Sequence, residues 1–513
     1  MLRLLLVLLL RQLLILLLLL LLILLLLLLR LLVLLLLFVT RTHRDPSFLK
    51  YSMGGCAVKY AKEERNDKMK LPEAFLRRMA RFPNMDLQEL IACIAQPRRG
   101  LRVNPLKCNA ESLRAALPFE LESAPFSPLS YYLPNNAEGV GRLALHHAGA
   151  FYVQEPSAAS AVTVLDPQPG ERVLDLCAAP GGKSTQIAGA LAGQGLLWAN
   201  ELVPNRAEIL LSNIERLGVR NAVVSSCTPD VLCAALAGFF DRVLVDAPCS
   251  GEGMFGRDEQ AIAEWSEAHV AACAVRQQKI LDSAAQAVRT GGVLVYSTCT
   301  FSPEENEQTA AAFLRAHPEF ELEDAGVSFG RPGIAEFAPD APVTRTRRIL
   351  PMDGGAGHFV ARFRRTGENM SHPAMYVCPK PDKDAQNLFE ALFSCECWGT
   401  PVRFGDRIVL LPAGLPRMER LGVLRAGVAL AEVRKNRLEP MHGVFAAARP
   451  GEARQQCTLP AAGAETDAFL RGEEIPCDAR GYTAVDVAGV ALGFGKASGG
   501  TLKNRYPKGL RQR

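Results

Sequence analysis

Between Phe151 and Arg365 short apolar runs alternate with amphipathic stretches, a change of period that separates strands from helices. Arg172 to Leu176 reads as an apolar strand that runs into Cys177-Ala178-Ala179-Pro180-Gly181-Gly182-Lys183-Ser184, with a helix after it. Leu196 to Asn200 is a second strand ending at Glu201, and Pro204 opens a helix to about Leu217 with Gly218 as its stop. Ala222 to Ser226 and Arg242 to Val245 read as a third and a fourth strand. The fourth ends in Asp246-Ala247-Pro248-Cys249. After a long helix, Gly291-Gly292 leads into a fifth strand, Val293 to Tyr296, followed by Ser297-Thr298-Cys299. Strands alternating with helices at this spacing predict an α/β fold with a doubly wound, mainly parallel sheet. Its chemistry-bearing residues sit just past the carboxyl ends of the strands, where open α/β sheets bind ligands.

The flanking regions follow other patterns. Leu71-Pro72-Glu73-Ala74-Phe75 opens an amphipathic helix, and short helices and strands punctuated by Pro and Asn continue to about His147. From about Gly367 two smaller mixed segments follow, parted near Arg449 to Gln455. The predicted organisation is a leucine-rich extension at 1–68, an α+β segment at 69–147, the α/β domain at 148–366, an intermediate domain at 367–448 and a last domain at 456–513.

Leu13 to Leu29 is an unbroken apolar run between Gln12 and Arg30, and a second run extends from Leu31 to Val39. Its length would span a bilayer. Its near-homopolymeric composition, with Arg11 and Arg30 as brackets and no small-residue cleavage site, instead suggests translated upstream sequence before a start near Met69. The expected location is therefore cytoplasmic, the alternative being a membrane tether through residues 13–39.

Composition changes this picture little. Of 513 residues, 49% are apolar and 22% charged, and the formal charge of +5 permits nucleic-acid binding without requiring it. The 14 cysteines include no CxxC pair and no His/Cys cluster at zinc spacing, so neither a metal site nor a disulfide framework is expected.

A glycine-rich turn after the first strand lets backbone approach a ligand closely, and the helix that follows presents unpaired N–H groups. The turn is neither GxGxxG nor a Walker loop. Glu201, at the end of the second strand, stands where an acidic side chain grips a ribose diol. Asp246 with Cys249, and Cys299, end successive strands and can converge on one pocket. A lone cysteine at a strand end is usually a buried filler. Two at matched positions, one beside an Asp-Pro turn, are harder to explain by packing.

At these residues the chain resembles the Sun-type family of RNA 5-cytosine methyltransferases. Cys177-Ala-Ala-Pro-Gly-Gly-Lys183, Asn200-Glu201, Asp246-Ala-Pro-Cys249-Ser-Gly251 and Tyr296-Ser-Thr-Cys299-Thr carry the resemblance, with Glu304-Glu305-Asn306-Glu307 after them. Arg102-Val-Asn-Pro-Leu-Lys107, Tyr152-Val-Gln-Glu-Pro-Ser157 and Gly357-His-Phe-Val-Ala361 extend it over about Met69 to Arg365. The resemblance implies a Rossmann-like domain that uses S-adenosyl-L-methionine, with Cys177 to Lys183, Glu201, Arg206 and Asp246 contacting the cofactor or the base. It implies Cys299 as nucleophile and Cys249 as promoter of product release. A thiolate added to carbon 6 makes carbon 5 of cytosine an enamine nucleophile. A carboxyl at ring nitrogen 3, partly protonated or sharing a proton, would stabilise the developing charge. After the third strand the chain reads Cys227-Thr228-Pro229-Asp230, so Thr228 or Asp230 stands where relatives contact adenine. Gly493-Phe-Gly-Lys496 and Thr501-Leu-Lys-Asn-Arg-Tyr-Pro-Lys-Gly-Leu510 are similar to the PUA-like tail of the small-subunit (16S) rRNA branch. RNA, most specifically 16S rRNA, is the implied partner. The alternatives are tRNA, or a non-catalytic RNA-binding role in ribosome assembly.

Overall fold

The computed structural model describes residues 70–368, 373–435 and 437–512. The leucine tract and its tether or start-site reading fall outside the described residues. Asp86 caps the helix Leu87–Ala95 by accepting from the backbone N–H groups of Gln88 and Glu89. That helix and the preceding one, Glu73–Met79, bury Phe75, Met79, Leu90 and Ile94 against Phe255, Trp265 and Phe301. Both helices thus brace the loop that follows Cys299. Four short strands come next: β1 (Gly100–Val103), β2 (Glu122–Ser123), β3 (Ser130–Tyr132) and β4 (Phe151–Val153), in the antiparallel order β2-β3-β1-β4.

The five apolar runs form five parallel strands: β5 (Arg172–Asp175), β6 (Leu196–Asn200), β7 (Ala222–Ser225), β8 (Phe240–Asp246) and β9 (Val288–Thr298). They read as near-continuous apolar runs because both faces of the sheet are covered. Along β9, Val293 and Val295 enter the core beneath the helices Gly182–Leu191 and Pro204–Arg216. Leu294 and Tyr296 enter the core on the other face, with the helix Glu267–Ala287. Side chains alternate along a strand, so Ser297 and Cys299 continue the first face.

Four antiparallel additions follow: β10 (Phe320–Glu323), β11 (Arg331–Pro332), β12 (Arg347–Ile349) and β13 (His358–Arg365), the last pairing with β9. A third sheet contains β14 (Thr400–Phe404), β15 (Arg407–Leu411), β17 (Val428–Arg434) and β18 (Arg437–Pro440) in the order β14-β15-β17-β18. β16 (Val423–Ala426) leaves that group and pairs antiparallel with β7, giving a ten-stranded sheet with the path β11-β12-β13-β9-β8-β5-β6-β7-β16 and β10 paired to β13 off that path. The last segment folds as β19 (Gln456–Leu459), β20 (Ile475–Pro476), β21 (Gly481–Val487), β22 (Val490–Ser498) and β23 (Thr501–Asn504), ordered β19-β21-β22-β23-β20. Its apolar residues, among them Leu459, Phe469, Val485 and Leu502, share one core with Leu101, Val103, Tyr131 and Phe151. Among the described residues no helix is long and apolar enough to cross a membrane.

Candidate active site

The glycine turn leaves the end of β5 and enters the helix Gly182–Leu191 with Gly181 at φ +113°. That is a backbone region open to glycine. Asn213 donates to Pro180 O at 2.9 Å and Ala178 N donates to Asn200 O at 2.8 Å, which holds the turn against β6 and the next helix. Arg102 reaches it from β1, donating to Gly182 O (3.0 Å), Thr185 Oγ1 (2.8 Å) and Gln154 Oε1 (3.1 Å). Burial pushes its guanidinium down to about 10, still protonated at neutral pH. Beneath the turn, Asp175 accepts from Ser184 Oγ at 2.6 Å, and burial raises its carboxyl to about 7. Burial also pushes the Cys177 thiol well up.

Glu201 is buried at the end of β6, where its Oε1 accepts from Val203 N at 3.0 Å and lies 3.4 Å from Arg206 Nη1. No hydrogen bond among the described residues engages Oε2, so the carboxylate has an oxygen to offer a ribose diol. Arg206 is half-exposed and donates to Ala179 O at 3.0 Å, tying Glu201 to the turn. Asn200 links β6 to the loop after β7, donating to Cys227 O (2.9 Å) and accepting from Cys227 N (3.1 Å). Thr228 starts the helix Pro229–Ala235 on the same rim, and Asp230 lies on that helix's exposed side. The donor set fits a nucleoside cofactor: a ribose-gripping carboxylate, a glycine turn and a helix N-terminus converge.

At the neighbouring strand ends Asp246 Oδ2 lies 2.8 Å from Lys183 Nζ, and Ser297 donates to Asp246 Oδ1 at 2.7 Å. Burial acts to raise the Asp246 carboxyl, but Lys183, with His358 and the Ser297 hydroxyl, together hold the group below its ordinary range. Burial acts to lower the Lys183 ammonium, and Asp246 reverses that shift. Both groups are therefore charged at neutral pH. The proton shared at Asp246 is the one on Lys183 Nζ, 2.8 Å from its Oδ2. The sequence reading places Lys183 with the cofactor turn, whereas its side chain reaches across to the carboxylate.

Cys249 Sγ and Cys299 Sγ lie 3.2 Å apart, and Cys299 N is 3.4 Å from Cys249 Sγ. The hydrogen bond with Cys299, then burial, drive the Cys249 thiol well above its ordinary value. Cys249 thus stays protonated at neutral pH and can donate to Cys299 sulfur.

Buried carboxylates frame the two thiols, none of them assigned a role in the sequence reading. Glu252 accepts from Trp265 Nε1 (2.9 Å), Ser302 Oγ (2.7 Å), Thr300 Oγ1 (2.7 Å) and Phe301 N (2.8 Å). Glu305 accepts from Ser250 N (3.0 Å) and Gln277 Nε2 (2.8 Å), and burial raises it to about 7. Asn306 accepts from Thr298 Oγ1 at 2.6 Å and donates to Thr300 O at 3.0 Å, on either side of Cys299. Glu307 pairs with buried Arg348, whose Nε donates at 2.6 Å and whose Nη1 donates to Phe301 O at 2.8 Å. Glu155 accepts from Ser157 Oγ at 2.5 Å and Ala356 N at 2.9 Å, and Ser157 Oγ lies 3.3 Å from His358 Nδ1. Burial lowers His358 to about 4, so its ring is neutral. The sequence signal for Glu305 to Glu307 is a run of four polar residues, Glu304 to Glu307, a short loop past the end of β9 at Thr298. Such a run marks buried hydrogen-bonding work only once the neighbouring strands are in place.

A family model described as 16S rRNA methyltransferase RsmB/F matches residues 162–364. Models of the RsmF N-terminal domain, first C-terminal domain and PUA domain match residues 71–156, 388–448 and 458–512. The chain is 33% identical over 476 residues to the ribosomal RNA small subunit methyltransferase F of Aeromonas hydrophila, covering 87% of this chain and 98% of that one. It is 31% identical over 471 residues to the Escherichia coli O157:H7 protein of the same name, covering 86% and 96%. Among solved structures it is similar to a methyltransferase homolog protein from Pyrococcus horikoshii, at 27% identity and a TM-score of 0.52, over 58% of this chain and 96% of that one. NSun6 from Pyrococcus horikoshii with SFG, at 23% identity and a TM-score of 0.50 over 58% and 99%, shares the fold.

Proposed function

Because this chain belongs to the family of ribosomal RNA small subunit methyltransferase F, we propose that Cys299 is its covalent nucleophile and Cys249 the residue that helps resolve the adduct. The enzyme is an S-adenosylmethionine-dependent RNA cytosine-5 methyltransferase of Rossmann-like fold with a C-terminal PUA-like domain, and 16S rRNA is its substrate. The observation that carries the proposed roles is the 3.2 Å approach of the two sulfurs beside the Asp246–Lys183 pair.

S-Adenosylmethionine, when bound, supplies an electrophilic methyl group. The chain's own residues do the rest. Glu201 grips the ribose, and the turn Cys177 to Lys183 with Arg206 and the Thr228 rim shape the remainder of that pocket. Cytosine must be unstacked to enter. Asp246 accepts from the base's N–H edge while the Lys183 ammonium, with three donors, faces the charge that builds on the ring. Cys299 thiolate adds to carbon 6, and the displaced electron pair makes carbon 5 nucleophilic toward the methyl group. Water acting as base takes the carbon 5 proton, and the electron pair of that C–H bond re-forms the carbon 5–carbon 6 double bond as the Cys299 thiolate leaves. The protonated Cys249 donates to the departing sulfur and lowers its basicity.

We assign residues 69–147 and 456–513 to RNA grip, 148–366 to catalysis and 367–448 to an intermediate domain. The enzyme is placed in the cytoplasm with its RNA, and the stretch 13–39 has no part in this reading.

The test compares Cys299→Ala with Cys249→Ala, using labelled cofactor and small-subunit RNA. Cys299→Ala is expected to lose methyl transfer, and Cys249→Ala to accumulate a protein–RNA adduct that survives denaturation. Full activity in Cys299→Ala, or free turnover without adduct in Cys249→Ala, overturns the assignment.

A further inference from the structure

A cavity of about 610 Å³ lies at the opposite edge of the central sheet from the thiols. Gly170 and Arg172 at the start of β5, Gly195 and Leu196 at the start of β6, and Asn221 just before β7 form one wall. Trp398, the Pro412–Gly414 turn and Arg449 form the other. Ligands of open α/β sheets bind at the carboxyl ends, so this cavity, at the amino ends, is separate from the cofactor and base pockets.

Its charge is one-sided. Three arginines and no acidic residue line it. Arg172 is engaged with Asp241 at 3.4 Å. Arg220 is paired through both nitrogens with Glu452 and lies 3.6 Å over the Trp398 ring. The charge of Glu452 acts on Arg449, but its oxygens are taken by Arg220 and by Arg449's own backbone N–H at 2.6 Å. The Arg449 side chain lines the cavity and makes no hydrogen bond or ion pair among the described residues; its Nη1 is sealed from solvent, so a ligand would meet the rest of the guanidinium. Lys107 adds no donor: burial holds its ammonium well below the usual range, and its Nζ is committed to the carbonyls of Ala148 (2.6 Å) and Ala491 (2.9 Å).

The walls also permit close approach. At Gly170, Gly193 and Gly414, all at positive φ, nothing lies within 4 Å of where a Cβ would stand. Bare backbone beside an uncommitted guanidinium suits a tetrahedral oxyanion, which arginine binds through paired N–H groups. The Trp398 ring is taken up by Arg220 and by Phe389 and Phe393, whose centroids lie 5.1 and 5.0 Å away. It therefore offers no open face for stacking a base.

We infer that this cavity binds phosphodiester groups of the RNA substrate, with Arg449 as the uncommitted donor. The inference rests on the chain acting on RNA, which methyl transfer by the unaltered enzyme tests separately. The cavity exceeds one phosphate group, so it takes a length of backbone and carries no sequence information.

The experiment measures RNA binding by the full chain across a salt series, for the unaltered protein, Arg449→Ala, Arg449→Lys and Gly414→Asp. Gly414→Asp places a carboxylate in open space, at a positive φ that Asp tolerates, without touching Arg449. Arg449→Ala and Gly414→Asp are expected to weaken RNA binding roughly three- to ten-fold near 0.1 M salt and to lower the slope of log K against log salt by about 1. Arg449→Lys should retain most of the affinity, and kcat at saturating RNA should be unchanged. Unaltered affinity and slope in both Arg449→Ala and Gly414→Asp overturn the inference. Protection of the cavity by inorganic phosphate without any change in RNA binding would mark a free-anion site, and also overturns it.

Discussion

Glu252→Gln is the most informative single change at this site, because it keeps the shape of a buried carboxylate and removes its charge. Four donors converge on Glu252: Trp265 Nε1 and Ser302 Oγ on one oxygen, Thr300 Oγ1 and Phe301 N on the other. A carboxamide can point its NH₂ at only one of these pairs. The hydroxyl in either pair can turn to accept, but the indole N–H and the backbone N–H cannot. One buried donor is therefore stranded whichever way the amide sits, at about 1–3 kcal/mol. The remaining contacts also lose charge assistance, together about another 1–2 kcal/mol. A destabilisation of about 3 kcal/mol follows, or roughly 6–12 °C in Tm for a domain of this size. Thr300, Phe301 and Ser302 directly follow Cys299, so the nucleophile shifts with them. Displacements approaching 1 Å at a reacting atom cost on the order of 10²-fold. The assays are thermal melting and single-turnover methylation with cofactor affinity measured alongside. A variant that melts within about 1 °C of the parent and methylates at the parental rate would refute the view that Glu252 carries the Cys299 loop.

Three further outcomes are expected. Asp246→Asn should lower kcat by about 10²- to 10³-fold, with cofactor affinity little changed, as read by steady-state kinetics against binding of labelled cofactor. Arg348→Ala strands the buried Glu307 carboxylate and should destabilise by about 3–5 kcal/mol, measured by denaturant unfolding. Glu305 is raised in the fold from 4.5 to about 7, so its contribution is full below pH 4.5 and lost as pH rises through 7. Glu305→Gln removes that loss, and its stability relative to the parent should rise by up to about 3 kcal/mol between pH 4.5 and 8. A stability difference independent of pH would count against the buried, protonated Glu305.

The parallel strands were legible because each is an apolar run bounded by turn residues. Leu196–Asn200 was placed to the residue, and Arg172–Asp175 to within one. Strand β16 was not legible. Val423-Leu-Arg-Ala has no marked alternation, and only the exposed edge of β7 makes it a strand of the central sheet. The same contrast holds at the site. Cys249, Cys299 and Asp246 announce themselves by lying at matched strand ends. The reach of Lys183 to Asp246, and the Glu155–Ser157–His358 cluster drawn from residues about 200 positions apart in chain order, depend on which strands become neighbours. The charge state of Asp246 is not legible for the same reason: it depends on a cation whose position local sequence does not give.

The core shared by the first and last segments has a consequence for biosynthesis. Leu101, Val103 and Phe151 pack with Leu459, Val485 and Leu502, and Lys107 donates to the carbonyl of Ala491. The early strands therefore cannot close their apolar face until the last hundred residues have been made. At elongation rates of about 5–20 residues per second, the wait from Phe151 to Leu502 is roughly 18–70 s. Through this interval the nascent N-terminal sheet presents an uncovered apolar face. Truncating the chain before residue 456 would leave that surface bare, so shortened forms should aggregate even though every residue of the methyl-transfer site is intact.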